Sequence, residues 1–159
     1  MQINNQKTAI RIYLWKMFLA IFFAGVIILF LTTTWFNKPV LGLERVELIL
    51  ITAGIYLIII IFLYLLDLNY VYFNDDGDQL VFRYYPMRPF ARKKKAVQIP
   101  KISLAGFRIK KSLFGLRKSL VLQQITKKGT ATYPAIGITA LNSKESGIII
   151  SELKRFVRT

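Results

Sequence analysis

Ten cations carry most of the chemistry this chain offers. Arg88, Arg92, Lys93, Lys94 and Lys95 crowd one short segment, and Arg108, Lys110, Lys111, Arg117 and Lys118 crowd a second. Pro86 and Pro89 make the first a loop, and the apolar–basic alternation of Gly106 to Lys111 makes the second a half-buried strand and its return. Clustered Lys and Arg at an anionic membrane surface gain about 1 kcal/mol each. Nucleic acid attracts such clusters too. No nucleic-acid-binding motif accompanies these, so no nucleic acid is expected as a partner.

Catalysis needs positioned acids, bases or nucleophiles. The 159 residues include no His and no Cys, which removes disulfides, thiolate nucleophiles and imidazole metal sites. Asp75, Asp76 and Asp78 are the densest acids. Their spacing does not match a calcium-binding EF-hand loop, and no bidentate Glu follows. They lie between two β-favouring runs, Asn69–Asn74 and Gln79–Tyr85, so the Asp-Gly step reads as a hairpin turn. Glu145 and Glu152 fall on a terminal helix, and no Gly-rich loop follows a strand to cradle phosphate. The expectation is a protein that is not an enzyme and has neither cofactor nor metal.

Two apolar stretches determine where the cations act. Met17 to Thr34 and Leu48 to Leu66 contain no charged residue, and charge brackets them at Lys16, Lys38, Glu47 and Asp67. A helix crossing about 30 Å of hydrocarbon needs roughly 20 apolar residues, so spans are predicted at about 13–36 and 46–66. Overall, 54% of residues are hydrophobic and the mean hydropathy is +0.43. That balance is rare in a soluble domain of this size. A cleaved signal peptide would have a shorter apolar run and a small-residue cleavage site; Thr32-Thr33-Thr34-Trp35-Phe36 offers none. Tyr13, Trp15, Trp35 and Phe36 suit the aromatic belts of a bilayer. No Asp, Glu, Lys or Arg, the usual mark of an ion pathway, lies in the stretches Met17 to Thr34 and Leu48 to Leu66. Ala20, Ala24, Gly25, Ala53 and Gly54 are small enough to let helices pack closely in lipid.

Net charge is +15, and from Asp67 onward 18 Lys and Arg face 6 Asp and Glu, about +12. Positive flanks stay in the cytoplasm. The tail before the first span holds Lys7, Arg11 and Lys16 without an acid, while Glu44 and Glu47 offset the cations between the spans. Residues 1–67 are therefore expected to form a transmembrane hairpin with both termini inside, and residues 68–159 a cytoplasmic domain.

Within that domain the pattern predicts short antiparallel strands over 69–74, 79–85, 96–99, 106–111, 119–125 and 130–133, with a further extended piece over 134–139. A helix closes the chain from Asn142 or Ser143 to Arg158. Ile149, Leu153, Phe156 and Val157 lie on one of its faces, and Lys154, Arg155 and Arg158 in its last turn.

The order of these elements resembles the bacterial pleckstrin-homology-like (PH-like) family of small membrane proteins, in which a transmembrane hairpin precedes a PH-like sheet. The resembling pieces are the hairpin Tyr70–Tyr85, the run Val97-Gln-Ile-Pro-Lys-Ile102 leading into Phe107–Ile109, the strand Ser119–Ile125 with its Lys-Lys-Gly turn, and Leu141 to Phe156. The resemblance implies a membrane α-helical hairpin plus an α+β domain, an antiparallel barrel with a helix plugging one end. It implies no enzyme and carries no functional residues over. The expected function is an interaction module in the bacterial inner membrane that meets the anionic inner leaflet through the two cation clusters. The alternative is an accessory subunit of a larger inner-membrane complex, or a self-associating chain, held through the hairpin's small residues.

Overall fold

The computed structural model describes residues 1–40, 42–88, 94–127 and 129–157. The chain forms two compact units, one of residues 11–64 and the other of residues 1–10 with 65–159.

The first unit holds most of two helices, α1 (Gln6–Thr32) and α2 (Arg45–Leu65). Both are long and apolar enough to cross a membrane, and among the described residues none in the apolar stretch of either is buried. α1 begins at Gln6 and ends at Thr32, earlier at both ends than the predicted 13–36. The apolar run predicts where a helix can sit in lipid, but the polar residues before it continue the same backbone hydrogen bonding. Trp35 and Phe36 fall in a separate 3-10 turn, Thr34–Asn37. α2 matches the predicted 46–66 to within a residue at each end. Glu47 lies in its first turn and accepts the Glu44 N–H at 2.8 Å. Arg45 donates to the Thr33 carbonyl at 2.8 Å.

In the second unit, strands β1 (Gln2–Asn4), β2 (Asn69–Asn74), β3 (Gln79–Pro86) and β4 (Lys95–Pro100) form one antiparallel sheet in that order. Strands β5 (Leu104–Ser112), β6 (Arg117–Thr126) and β7 (Gly129–Thr132) form a second, and β8 (Ile136–Gly137) pairs with β6. Helix α3 (Ser143–Phe156) ends the described chain. Among the described residues no strand pairing joins the two sheets, so the expected barrel is not closed there. The strands alternate as the sequence pattern requires: Val71 and Phe73, Leu80 and Phe82, and Val97 and Ile99 point inward. They meet Leu104, Leu120, Leu122 and Ile136 of the second sheet and Ile149 and Leu153 of α3 in one core. Phe73 and Phe82, direct cross-strand partners, pack with ring centroids 4.7 Å apart. α3 starts in a capping box, in which the Asn142 side chain accepts the Glu145 N–H and Glu145 accepts the Asn142 N–H.

Strand β1 separates this arrangement from the expected domain division. The sequence reading gave residues 1–67 to the hairpin; the structure joins residues 1–10 to the sheets. Ile3 is buried opposite Phe73, and Asn5 is fully buried. The Asn5 side chain donates to the Asn69 carbonyl and accepts the Val71 N–H at 2.9 Å, so it continues the ladder where β1 ends. A three-residue strand with a single inward apolar side chain is too short to show a period in the sequence.

Candidate functional site

The site is built around Asp67, two residues beyond the end of α2. Its backbone takes a positive φ of 48°, which Asp tolerates better than most residues. The carboxylate accepts from Arg88 at 3.0 Å and from Arg117 at 3.3 Å. One acid thus ties together the two basic segments, which lie 29 residues apart in sequence (88 and 117). Gly137 makes the close packing possible. A Cβ there would lie 2.2 Å from the Asn69 side-chain nitrogen and 2.9 Å from an Asp67 carboxylate oxygen.

The remaining cations follow from register. Ser112 pairs with Arg117, Lys111 with Lys118 and Lys110 with Ser119, so the lysines stand within two ladder positions of Arg117. On β4, Lys95 pairs with Tyr84 of β3, and Lys94 precedes it. Lys94, Lys95, Lys110, Lys111 and Lys118 are all exposed, whereas Arg88 and Arg117 are half-buried in their ion pairs. Arg108 is exposed too, nearer the middle of β5. Arg92 and Lys93 lie outside the described residues. The acids Asp75, Asp76 and Asp78 sit at the other end of the β2–β3 hairpin, about 20 Å away for a strand of six residues. There the Met1 ammonium pairs with Asp75 and Asp76 and holds the Asp76 carboxyl below its ordinary range through its hydrogen bond. The hairpin is therefore acidic at its turn and basic at its open end. At that open end Asn5 leads into α1 and Asp67 follows α2.

The outer face of the first sheet adds an aromatic floor. Tyr70 and Tyr85 are cross-strand partners with stacked rings, centroids 4.8 Å apart. Arg83 pairs with Tyr72 and lies 6.0 Å from its ring centroid. With Lys94, Lys95 and Ala96 they line an open groove of about 310 Å³. Burial, followed by the nearby Tyr85 and Tyr72 hydroxyls, raises the Tyr70 phenol. The Tyr84 phenol is raised by burial and then by the Asp67 carboxylate. The arrangement offers charge-assisted and phenolic hydrogen-bond donors to an anion. Among the described residues no group of three or more His, Cys, Asp or Glu is placed to hold a metal ion.

The small residues of the helices are differently disposed. Ala20 and Ala53 are half-buried, while Ala24, Gly25 and Gly54 are exposed. Among the described residues outside each helix's own backbone, a Cβ added at Gly25 or Gly54 would meet nothing within 4 Å. The two helices touch instead through the rings of Phe23 and Tyr56, with centroids 5.2 Å apart.

Sequence reasoning found the cations but missed Asp67 as their hub. The residue read only as the charge closing the second apolar stretch, and its positive φ has no sequence signature. The Tyr groove was visible only as a β-rich composition, because pairing decides which tyrosines share a face. Comparison with family models, with curated proteins and with solved structures finds no match.

Proposed function

We propose that the protein is a non-enzymatic integral membrane protein of the bacterial inner membrane, with α1 and α2 crossing the bilayer and the sheet unit acting as an interaction module on its anionic cytoplasmic leaflet. The observation that carries this reading is the gathering of the cations. Lys94, Lys95, Lys110, Lys111 and Lys118 lie exposed around the Asp67 pairs, at the end of the unit where the chain enters α1 and leaves α2. Cations held there stand within a Debye length of lipid phosphates, where attraction is strongest.

Topology supports the same reading. β1 precedes α1 and pairs with β2, which follows α2. Segments folded into one sheet occupy one side of a membrane, and the positive-inside rule makes that side the cytoplasm. Two sheets with a C-terminal helix also suit a PH-like domain, here extended by an N-terminal edge strand. The second reading is an accessory subunit that a larger complex holds through the helices. The bare glycines Gly25 and Gly54 favour it, since no other described residue comes within 4 Å of a Cβ built there.

Purification of the tagged full-length chain in mild detergent, with mass spectrometry of bound lipid and protein, tests both. Anionic lipid retained on a chain that arrives alone supports the leaflet module. A stoichiometric unrelated membrane protein supports the accessory subunit and overturns the stand-alone module. A chain that arrives alone with only neutral lipid contradicts both.

A further inference from the structure

The β5–β6 connection breaks the local rules that the rest of the sheet obeys. Four residues, Leu113 to Leu116, join the paired residues Ser112 and Arg117. Leu113, Phe114 and Gly115 all have positive φ, at 51°, 55° and 88°. The Gly115 N–H donates to the Ser112 carbonyl, and the Leu116 N–H to the Leu113 carbonyl. Reversals with positive φ at both central positions select Asn-Gly or Asp-Gly, because a side chain there crowds the backbone. Here Leu and Phe occupy those positions. Phe114 is 107% exposed and Leu116 54% exposed. The turn therefore holds bulky apolar side chains in a disfavoured backbone conformation and leaves Phe114 without cover from the other described residues. Violations of local preference that the core does not need belong to function.

The surroundings select the occupant. The sequence through the tip is Lys110-Lys-Ser-Leu-Phe-Gly-Leu-Arg-Lys118, an apolar point with two cations on each flank. An anionic membrane interface takes this combination, since apolar groups enter the acyl boundary while cations remain among the phosphates. The tip is also anchored at the right place, because Arg117 is ion-paired to Asp67, two residues from the end of α2. We infer that the Leu113–Leu116 turn is a wedge that inserts Phe114 and Leu116 into the anionic leaflet, and so fixes the domain's face on the bilayer. This rests on the membrane reading above. It adds an apolar insertion that does not weaken with salt to a cationic attraction that does.

The chain has no cysteine, so each introduced cysteine is a unique label site. A nitroxide at Leu116→Cys leaves Phe114 in place, and Lys127→Cys, in the β6–β7 turn at the opposite end of β6, provides the aqueous reference. The full-length chain is reconstituted in phosphatidylcholine vesicles with and without phosphatidylglycerol, and power saturation is read with oxygen and with a water-soluble nickel chelate. Insertion predicts that the label at 116 favours oxygen and the label at 127 favours nickel. It further predicts that adding Phe114→Ser shifts the label at 116 toward nickel. Equal nickel access at 116 and 127 overturns the wedge, and so does a label at 116 closed to both reagents or broadened by a second copy, since a protein contact then covers the tip. Insertion that is the same with and without phosphatidylglycerol supports the wedge while removing the cationic reading. Loss of insertion with phosphatidylglycerol retention intact does the reverse.

Discussion

Asp67 is the residue on which the basic end depends. It closes the pairs with Arg88 and Arg117, and its own backbone sits in the left-handed region. Asn tolerates that backbone and keeps the side chain's shape, whereas Ala loses both advantages. The arginines are 34% and 39% exposed, so solvent screens the pairs and each contributes at the modest end. Asp67→Asn is expected to lower unfolding free energy by about 1 kcal/mol and Asp67→Ala by about 2 kcal/mol. Thermal unfolding of the full chain in detergent measures both, and an unchanged Asn variant denies the charge any role. Tyr84 adds a pH dependence. Its phenol is raised above the ordinary value of 10.0 by burial and by Asp67, so the folded state keeps the proton longer than the unfolded state. The contribution is whole below about pH 10 and is lost as pH rises through the higher folded value. Tyr84→Phe should move the alkaline unfolding midpoint upward, followed by circular dichroism alongside tyrosinate absorbance. At this scale the sequence revealed charge type and little else. Ten cations were legible, but which of them are paired depends on an acid that becomes their neighbour only once β2, β3, β6 and β8 are assembled.

At the scale of elements the sequence was more legible, and for a physical reason. A strand with one buried face must alternate, and β2 and β3 do so over six or more residues each, whereas β6 buries the continuous run Ser119 to Leu122. The apolar stretch of α2 and the capping signal Asn142 to Glu145 are equally local. Short or irregular pieces were not legible. β1 has three residues and β8 two, and both are specified by their partners. The conformation of the Leu113–Leu116 turn has no sequence signal, because its residue types contradict the backbone they adopt. α1 starts ahead of the predicted span because polar helix carries no apolar signal. β8 supplies the test of element packing. Gly137 has no room for a Cβ beside Asn69 and Asp67, so Gly137→Ala must push β8 from β2 or displace the Asp67 side chain. The expected cost is about 1–3 kcal/mol, the range of an overpacked core. The Asp67 pairs should loosen at the same time, so Gly137→Ala and Asp67→Asn together should cost less than the sum of the two. Strict additivity would mean that Gly137 and the Asp67 pairs act independently.

The whole molecule is one chain in which a sheet unit receives strands from before α1 and from after α2. Ile3 links the two, since it is 8% exposed and packs opposite Phe73. Ile3→Asp should detach β1 and lower unfolding free energy by about 2–4 kcal/mol, visible as lost amide protection in β2. Full protection in β2 would show that the sheet stands without its first strand. A fragment beginning at residue 68 lacks that strand, which is why the full chain is the proper object for binding studies. Charge is polarised on the same scale. The acidic turn lies at one end of the β2–β3 hairpin, and the lysines ring the other, where the helices attach. The most direct test of this account is native mass spectrometry of the full chain released from nanodiscs of phosphatidylcholine and phosphatidylglycerol. Wild type is compared with a variant carrying Lys94→Gln, Lys95→Gln, Lys110→Gln, Lys111→Gln and Lys118→Gln, all at exposed positions. The account predicts that wild type retains phosphatidylglycerol in preference to phosphatidylcholine and that the variant loses the preference. Equal preference in both proteins would contradict it.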